Sequence, residues 1–389
     1  MRPEDIVSEG GRSQRYLDWQ IEREDLQSWL FDAALPLWWN YGANRDAGGG
    51  FHDRLYSDGR AEERPMRLRV QARQVFVYAE AGRMGWKGPW RAAVEHGLKS
   101  IAAFYLRPDG LYRSSIDATG NVVSDTVDIY DQSFVLLCLA SAWQAQDKPL
   151  ALRSAAEDLL RQLRRLLAHP VAGFEEARPR TLPLRANPHM HLLEAMLAWV
   201  ELGEGGLFRE VAHEIVDLAT GHFIDAGTGA IGEFFDGDWQ VCEGDLGALR
   251  EPGHQFEWAY LLDQAASLLG MNLGGAVRRL YAFGTIHGVV DGRVIAAVDA
   301  QGRIVDRSAR LWQQTERLRA ALTVGAAISD RPEADVLESI AAFRRFLLPG
   351  SPGLWHDRLD AEGCAIVEAA PASSLYHIVT GLSYLIGKS

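Results

Sequence analysis

Apolar residues recur at helical spacing in twelve stretches, over residues 23–41, 69–84, 89–106, 130–145, 149–167, 188–203, 207–222, 253–269, 272–287, 311–328, 332–346 and 373–386. The second stretch and every other one after it begin near residues 69, 130, 188, 253, 311 and 373, an internal period of roughly 60 residues. Short connections alternate with longer ones rich in Gly and Asp: GGGFHDRLYSDGR, DGLYRSSIDATGNVV, GAIGEFFDGDWQV, VDGRVIAAVDAQGRIV and GLWHDRLDAEGCAIV. Turn residues set between short apolar runs predict five β-hairpins there. Helix pairs repeating in this way, with hairpins always on the same kind of connection, predict an all-α fold. It is an (α/α)6 barrel, a toroid of six helical hairpins with the short β-hairpins gathered on one face. No linker or low-complexity stretch interrupts the series, so residues 1–389 are expected to form a single catalytic domain.

One set of six helices must line the middle of such a ring and the other must pack outside it. YDQSFVLLCLASAW, PHMHLLEAMLAWV and GHQFEWAYLLDQAASLL are apolar on most sides, as a doubly packed helix must be. LRSAAEDLLRQLRRLL is amphipathic and belongs outside.

Composition narrows the function. The chain of 389 residues, 47% of them hydrophobic, can bury a large core. Lys plus Arg number 40 against 52 Asp plus Glu, and the net charge of -12 argues against nucleic acid or an anionic membrane as partner. A small-molecule partner fits better. Cys138, Cys242 and Cys364 lie far apart without CxxC spacing, so neither a disulfide framework nor a zinc knuckle is encoded. The N-terminal MRPEDIVSEGGRSQR lacks the apolar core of a signal peptide, and no apolar run approaches the roughly 20 residues of a membrane span. The cytoplasm is the expected compartment, and a homodimer stands as an open alternative to a monomer.

The unusual polar residues fall at one phase of the period, near the starts of the inner helices. EPGHQFEW carries His254 and Glu257 on one helical face, behind Glu251, Pro252 and Gly253, where the carboxylate can hold the imidazole or a sugar hydroxyl. NPHMHLLEA carries Asn187, which can cap its helix, and His191 in step with Glu194. His189, two residues away, points to another face and reads as a packed neighbour. SSLYHI places His377 behind Ser373 and Ser374. WQQTE supplies Trp312, Gln314 and Glu316, an indole platform for a pyranose among hydrogen-bonding groups. QARQVFVYA puts Arg73 in an apolar helix, where an unpaired guanidinium would cost several kcal/mol, so a Glu or a ligand oxygen must meet it. Each motif also has a structural reading, as a helix cap or a packed polar residue. At a helix N-terminus the partial positive charge favours neutral histidines, usable as bases near pH 7.

QARQVFVYA, NPHMHLLEA, EPGHQFEW, WQQTE and SSLYHI, in that order from about residue 50 to the C-terminus, resemble the N-acylglucosamine 2-epimerase family. That family includes cellobiose 2-epimerases and mannose isomerases. The resemblance implies the (α/α)6 barrel and a chemistry with no metal and no other cofactor. It also implies a catalytic set of Arg73, His191, His254, Glu257 and His377, with Trp312 in the sugar pocket. Asn187, Gln314 and Glu316 are taken as further substrate-binding groups. The closest match is to the mannose isomerase side. No nucleotide loop such as GxxxxGKS is present.

The expected reaction is proton transfer beside a sugar aldehyde through an enediolate, converting a free aldose such as mannose to fructose. His377 is expected as the base, His254 as its partner, Glu257 as the group orienting His254, and Arg73 as the oxyanion partner. His191 would assist ring opening or hold hydroxyls. A 2-epimerase, or an isomerase of a phosphorylated mannose, would use the same residues. Arg54, Arg67, Arg69 and Arg185 could receive a phosphate or simply lie on a solvated face. A glycoside hydrolase, a metal-dependent isomerase drawing on His189, His191, His254 and Glu257, and a sugar-binding ring without turnover remain as other classes.

Overall fold

The computed structural model describes residues 9–387. Most of the N-terminal stretch read for a targeting signal therefore lies outside the described residues, as do the outermost ends of the expected domain. Among the described residues, twelve helices of ten residues or more alternate between outside and inside. The outer set is α1 (Glu9–Ser28), α3 (Trp90–Ser100), α5 (Leu150–Leu167), α7 (Leu207–Leu218), α9 (Gly274–Gly288) and α11 (Pro332–Arg344). The inner set is α2 (Leu68–Arg83), α4 (Ile129–Ala145), α6 (Ala186–Glu201), α8 (Pro252–Leu269), α10 (Leu311–Ala320) and α12 (Ser373–Ile386). Each inner helix packs on the next, and α12 returns to α2, so the ring closes. Several helices run on through wider π-type turns, as at Ile101–Tyr105, Ala219–Phe223 and Ala321–Gly325, which the apolar period does not distinguish from α-helix.

Burial follows the patterning. In α5 the buried residues are Ala156, Leu159, Leu160, Leu163 and Leu167, one stripe at helical spacing, each Leu contributing roughly 1.5–3 kcal/mol. In α4 nearly every residue from Ile129 to Trp143 is buried, because it has neighbours on all sides.

The five expected hairpins form, and a sixth connection, around Ala177–Arg178, does the same work in the third repeat. Two devices fix them to the inner helices. The first is a glutamine four residues past the residue that precedes the helix. Its amide pairs with both backbone groups of one hairpin residue: Gln71 with Phe51, Gln132 with Tyr112, Gln255 with Ile231 and Gln314 with Val294, at 2.7–3.2 Å. His189 takes this place in the third repeat, accepting from the Phe174 N–H at 3.0 Å and facing the Arg185 carbonyl at 3.2 Å.

The second device is a hairpin carboxylate that closes on the residue before the helix. Asp53 accepts the Arg67 backbone N–H at 3.0 Å and its guanidinium; Glu176 does the same for Arg185 at 2.6 and 2.7 Å. Strand Arg54–Leu55 pairs antiparallel with Ala370–Pro371, joining the first hairpin to the last inner helix. All hairpins thus gather at the N-terminal ends of the six inner helices. Among the described residues, no helix is long and apolar enough to cross a membrane.

Candidate active site

Because a helix returns to the same face after about four residues, matching positions on six parallel inner helices form layers across the lumen. Two residues past the one preceding the helix lie Arg69, Tyr130, Asn187, Gly253 and Trp312, and Ser373, the first residue of α12, stands in the same phase at the mouth. One turn deeper, in the same phase, come Arg73, Phe134, His191, Glu257, Glu316 and His377. A cleft of about 560 Å³ at the mouth is lined by most of these residues, including Arg73, Asn187, His191, Glu257, Trp312 and His377. His254, Glu251, Tyr130 and Arg310 complete its wall.

The Trp312 indole stands between two histidines, its ring centroid 5.1 Å from His254 and 5.6 Å from His377. Gly253 makes room for it: a Cβ there would lie 2.7 Å from the indole edge. Arg73 meets no carboxylate among the described residues. Its Nη2 donates to the Tyr130 hydroxyl at 2.7 Å, and its guanidinium lies 4.0 Å from the Phe134 ring centre and 5.1 Å from that of Tyr376. Aromatic faces hold the cation in place, and its buried Nε has no hydrogen-bond partner. Asn187 also lines the cleft, with its Oδ1 unpartnered.

The two histidines beside Trp312 differ in charge. Burial alone would depress His254, but the Glu233 and Glu251 carboxylates outweigh it and hold the imidazole up to about 10. Burial, then the positive charge of Arg73, drive His377 well below the usual histidine range. At neutral pH one is an imidazolium and the other a neutral imidazole, an acid and a base set apart by their surroundings. The expectation of neutral histidines at helix starts fails at His254, where the Glu233 carboxylate, with Glu251 behind it, outweighs the helix dipole. Burial likewise brings His191 down to about 4. Glu257, with both carboxylate oxygens lacking hydrogen-bond partners, is raised well above the carboxylate range by burial and then by Glu316. Its surroundings therefore favour the protonated form.

Several assignments need correction. Glu257 does not orient His254. The His254 Nδ1 lies 2.8 Å from Glu233 Oε2, while Glu257, deeper in the lumen, faces His191 at 3.8 Å and Arg319 at 3.5 Å. Glu233 is the hairpin carboxylate of the fourth repeat. Residue 251 is Glu where the first, third and fifth repeats have Arg67, Arg185 and Arg310, so only its backbone N–H binds Glu233, at 3.0 Å, and the second oxygen is left for His254. Gln314 does not reach the cleft, since its amide is fully engaged by Val294 and the Arg310 carbonyl. Glu316 lies beneath His377, at 2.7 Å from its Nδ1, and is a support for that ring. Asn187 is inside its helix, whose preceding residue is Arg185, so it is no cap. Arg54, Arg67, Arg69 and Arg185 are tied to Glu368, Asp53, Asp131 and Glu176 and do not line the cleft. The arginines that do are Arg73 and Arg310, the latter half-exposed and 3.1 Å from Asp357.

His189 cannot join a metal-ligand set with both ring nitrogens facing backbone. Three other groups have potential ligand atoms within 4.8 Å of one another: His191, Glu194 and Glu257; Glu233, Glu251 and His254; and Glu257, Glu316 and His377. In the first and third, Arg319 already supplies a positive charge among the carboxylates.

The mouth of this (α/α)6 barrel thus brings two histidines of unlike charge, a guanidinium and an indole into one cleft. The description N-acylglucosamine 2-epimerase (GlcNAc 2-epimerase) matches residues 49–381, and the chain belongs to that family. It is 40% identical over 378 residues to the mannose-6-phosphate isomerase of Rhizobium meliloti (strain 1021), covering 94% of this chain and 97% of the relative. It is 27% identical over 297 residues to the D-mannose isomerase of Thermobifida fusca, covering 69% and 71%. The cellobiose 2-epimerase structure from Bacillus thermoamylovorans B4167 superimposes with a TM-score of 0.84 at 16% identity, over 93% of this chain and 98% of that one. The protein is a sugar isomerase or epimerase.

Proposed function

We propose that the chain is an aldose–ketose isomerase of mannose, working through an enediolate without a metal. The reading rests on one arrangement: a neutral His377 and a protonated His254 against the same indole, with Arg73 lacking a carboxylate partner in the same cleft. With the open-chain aldose lying on Trp312, the His377 Nε2 takes the C2 proton while His254 donates to the carbonyl oxygen. Arg73 stabilises the negative charge that develops on the enediolate oxygens. The now neutral His254 then takes the proton of the C2 hydroxyl while His377 delivers a proton to C1, giving the ketose and restoring both histidines. Glu257, carrying a proton, serves a ring oxygen or hydroxyl, and His191 holds a hydroxyl of the chain.

Replacing His377 or His254 by Ala should lower kcat about 10²–10⁴-fold. Wild-type enzyme turning over mannose in deuterated water should place deuterium at C1 of fructose. Deuterium only at C2, with inversion, would replace this reading by a 2-epimerase. Exchange unchanged in both variants would remove the two histidines from the chemistry.

A second reading, with mannose 6-phosphate as substrate, is favoured by the activity for which the Rhizobium relative is named and by Arg310 at the rim. Under it, Arg310→Ala raises KM for the phosphate about tenfold or more and leaves free mannose unaffected.

A further inference from the structure

Beneath the catalytic layer the lumen is closed by a set of buried charges. Arg319 lies on α10, is 1% exposed and lines no part of the catalytic cleft. It faces instead a separate cavity of about 710 Å³ near the C-terminal ends of the inner helices. Its guanidinium lies over the Tyr260 ring at 4.2 Å, and it reaches three carboxylates. Nη1 is 3.2 Å from Glu194 Oε1; Nη2 is 2.5 Å from Glu316 Oε2 and 3.5 Å from Glu257 Oε1.

Two of these carboxylates face histidine rings with their other oxygen. Glu316 Oε1 is 2.7 Å from His377 Nδ1, and Glu194 Oε2 is 3.2 Å from His191 Nδ1, while also accepting from the Tyr376 hydroxyl. An ionised carboxylate only accepts, so it requires the proton on Nδ1 and leaves Nε2 as a lone pair; a protonated carboxyl can donate to Nδ1 and move the ring proton to Nε2. A His377 with its proton on Nε2 cannot remove one from C2.

We infer that Arg319 is a positioning residue: by holding Glu316 and Glu194 ionised it sets the tautomers of His377 and His191 and so makes His377 a base. This rests on the isomerase reading. Burial and the neighbouring Glu194 charge favour a proton on Glu316, and Arg319 opposes them. The other groups facing Glu316 are His377 and Tyr376 from α12, His191 and Glu194 from α6, and Glu257 from α8; none of them supplies a permanent positive charge. A motif reading of WQQTERLRA stops at Glu316, one turn short of Arg319.

The test is ring ¹⁵N NMR of histidine-labelled enzyme, with His191 and His377 assigned by single His→Gln variants, combined with pH profiles of kcat. The wild type should show both rings protonated on Nδ1 near pH 7. Arg319→Met should move His377 toward the Nε2–H form. It should also lower kcat about tenfold or more at pH 7 while leaving KM within about twofold, with part of the loss regained at higher pH, where Glu316 ionises unaided. Arg319→Lys should restore most of the activity. Once Glu316 is Gln, adding Arg319→Met should cost little more. An Nε2–H form of either ring in the wild type overturns the inference, and that measurement needs no folded variant. So does an Arg319→Met enzyme that loses kcat equally at every pH with its tautomers unchanged, which is what a purely structural role gives. An enzyme turning over no aldose would defeat the isomerase reading and leave the tautomer result standing on its own.

Discussion

At Gly253 the absence of a side chain is itself a feature of the site. It occupies the mouth-layer position that bears Trp312, Asn187 and Tyr130 on other helices, and a Cβ would come within 2.7 Å of the indole. The indole is held between His254 and His377, and the shift needed to restore ordinary contact, roughly 0.7 Å or more, disturbs the wall against which the sugar is aligned. Gly253→Ala should raise KM about tenfold with a change in Trp fluorescence, and because the buried indole and Gln313 must give way it should also cost about 1–3 kcal/mol of stability. An unchanged KM would take Trp312 out of the sugar pocket. Gln314 makes the opposite case. Gln314→Leu strips the Val294 backbone of both partners and should cost roughly 2–4 kcal/mol in urea unfolding, with KM within about twofold. A large KM change at full stability would return Gln314 to the substrate.

The repeating elements account for what could be read in the chain and what could not. Helix existence, the roughly 60-residue period and the phase that brings Arg73, His191, Glu257 and His377 to one layer all follow from local patterning. Tyr130 and Glu316 stand in the same phases; Tyr130 was hidden because an aromatic in an apolar helix reads as core. Glu233 was beyond reach for another reason. Its role depends on a hairpin folding back over the helix start, a contact between segments 21 residues apart, and on residue 251 being Glu. Aligning the hairpin carboxylates Asp53, Glu176 and Glu233 with Arg67, Arg185 and Glu251 exposes that exchange. The exchange also fixes a pH dependence. His254 is raised, so its proton is present at neutral pH and is lost as pH rises through about 10, placing the alkaline limb of kcat there. Glu233→Gln removes the nearest negative charge and should move that limb down by about one unit or more. An unmoved limb would mean that another group carries the acid role.

Over the whole ring, the inner helices surround a lumen in which unlike charges are brought together away from water, and their balance decides what else can bind there. Glu194, Glu257 and Glu316 converge with His191 and His377 at distances that suit a divalent cation, and such a cation would need those carboxylates ionised and the imidazole lone pairs turned toward it. Arg319 stands among them already, within 3.5 Å of all three carboxylates, and burial beside Glu316 favours a proton on Glu257. Admitting a divalent ion beside that guanidinium would set two cations in contact in a medium where their repulsion is only weakly screened. At the rim, Glu233 has spent one oxygen on the Glu251 N–H and the other on a protonated His254. Exhaustive dialysis against EDTA should therefore leave kcat, KM and Tm unchanged, and added zinc or manganese should not raise activity. If chelation abolished turnover and one metal restored it, the lumen would have to give up Arg319's contacts to hold the ion. Proton transfer through a metal-polarised carbonyl would then take the place of the His254 and Arg73 roles assigned above.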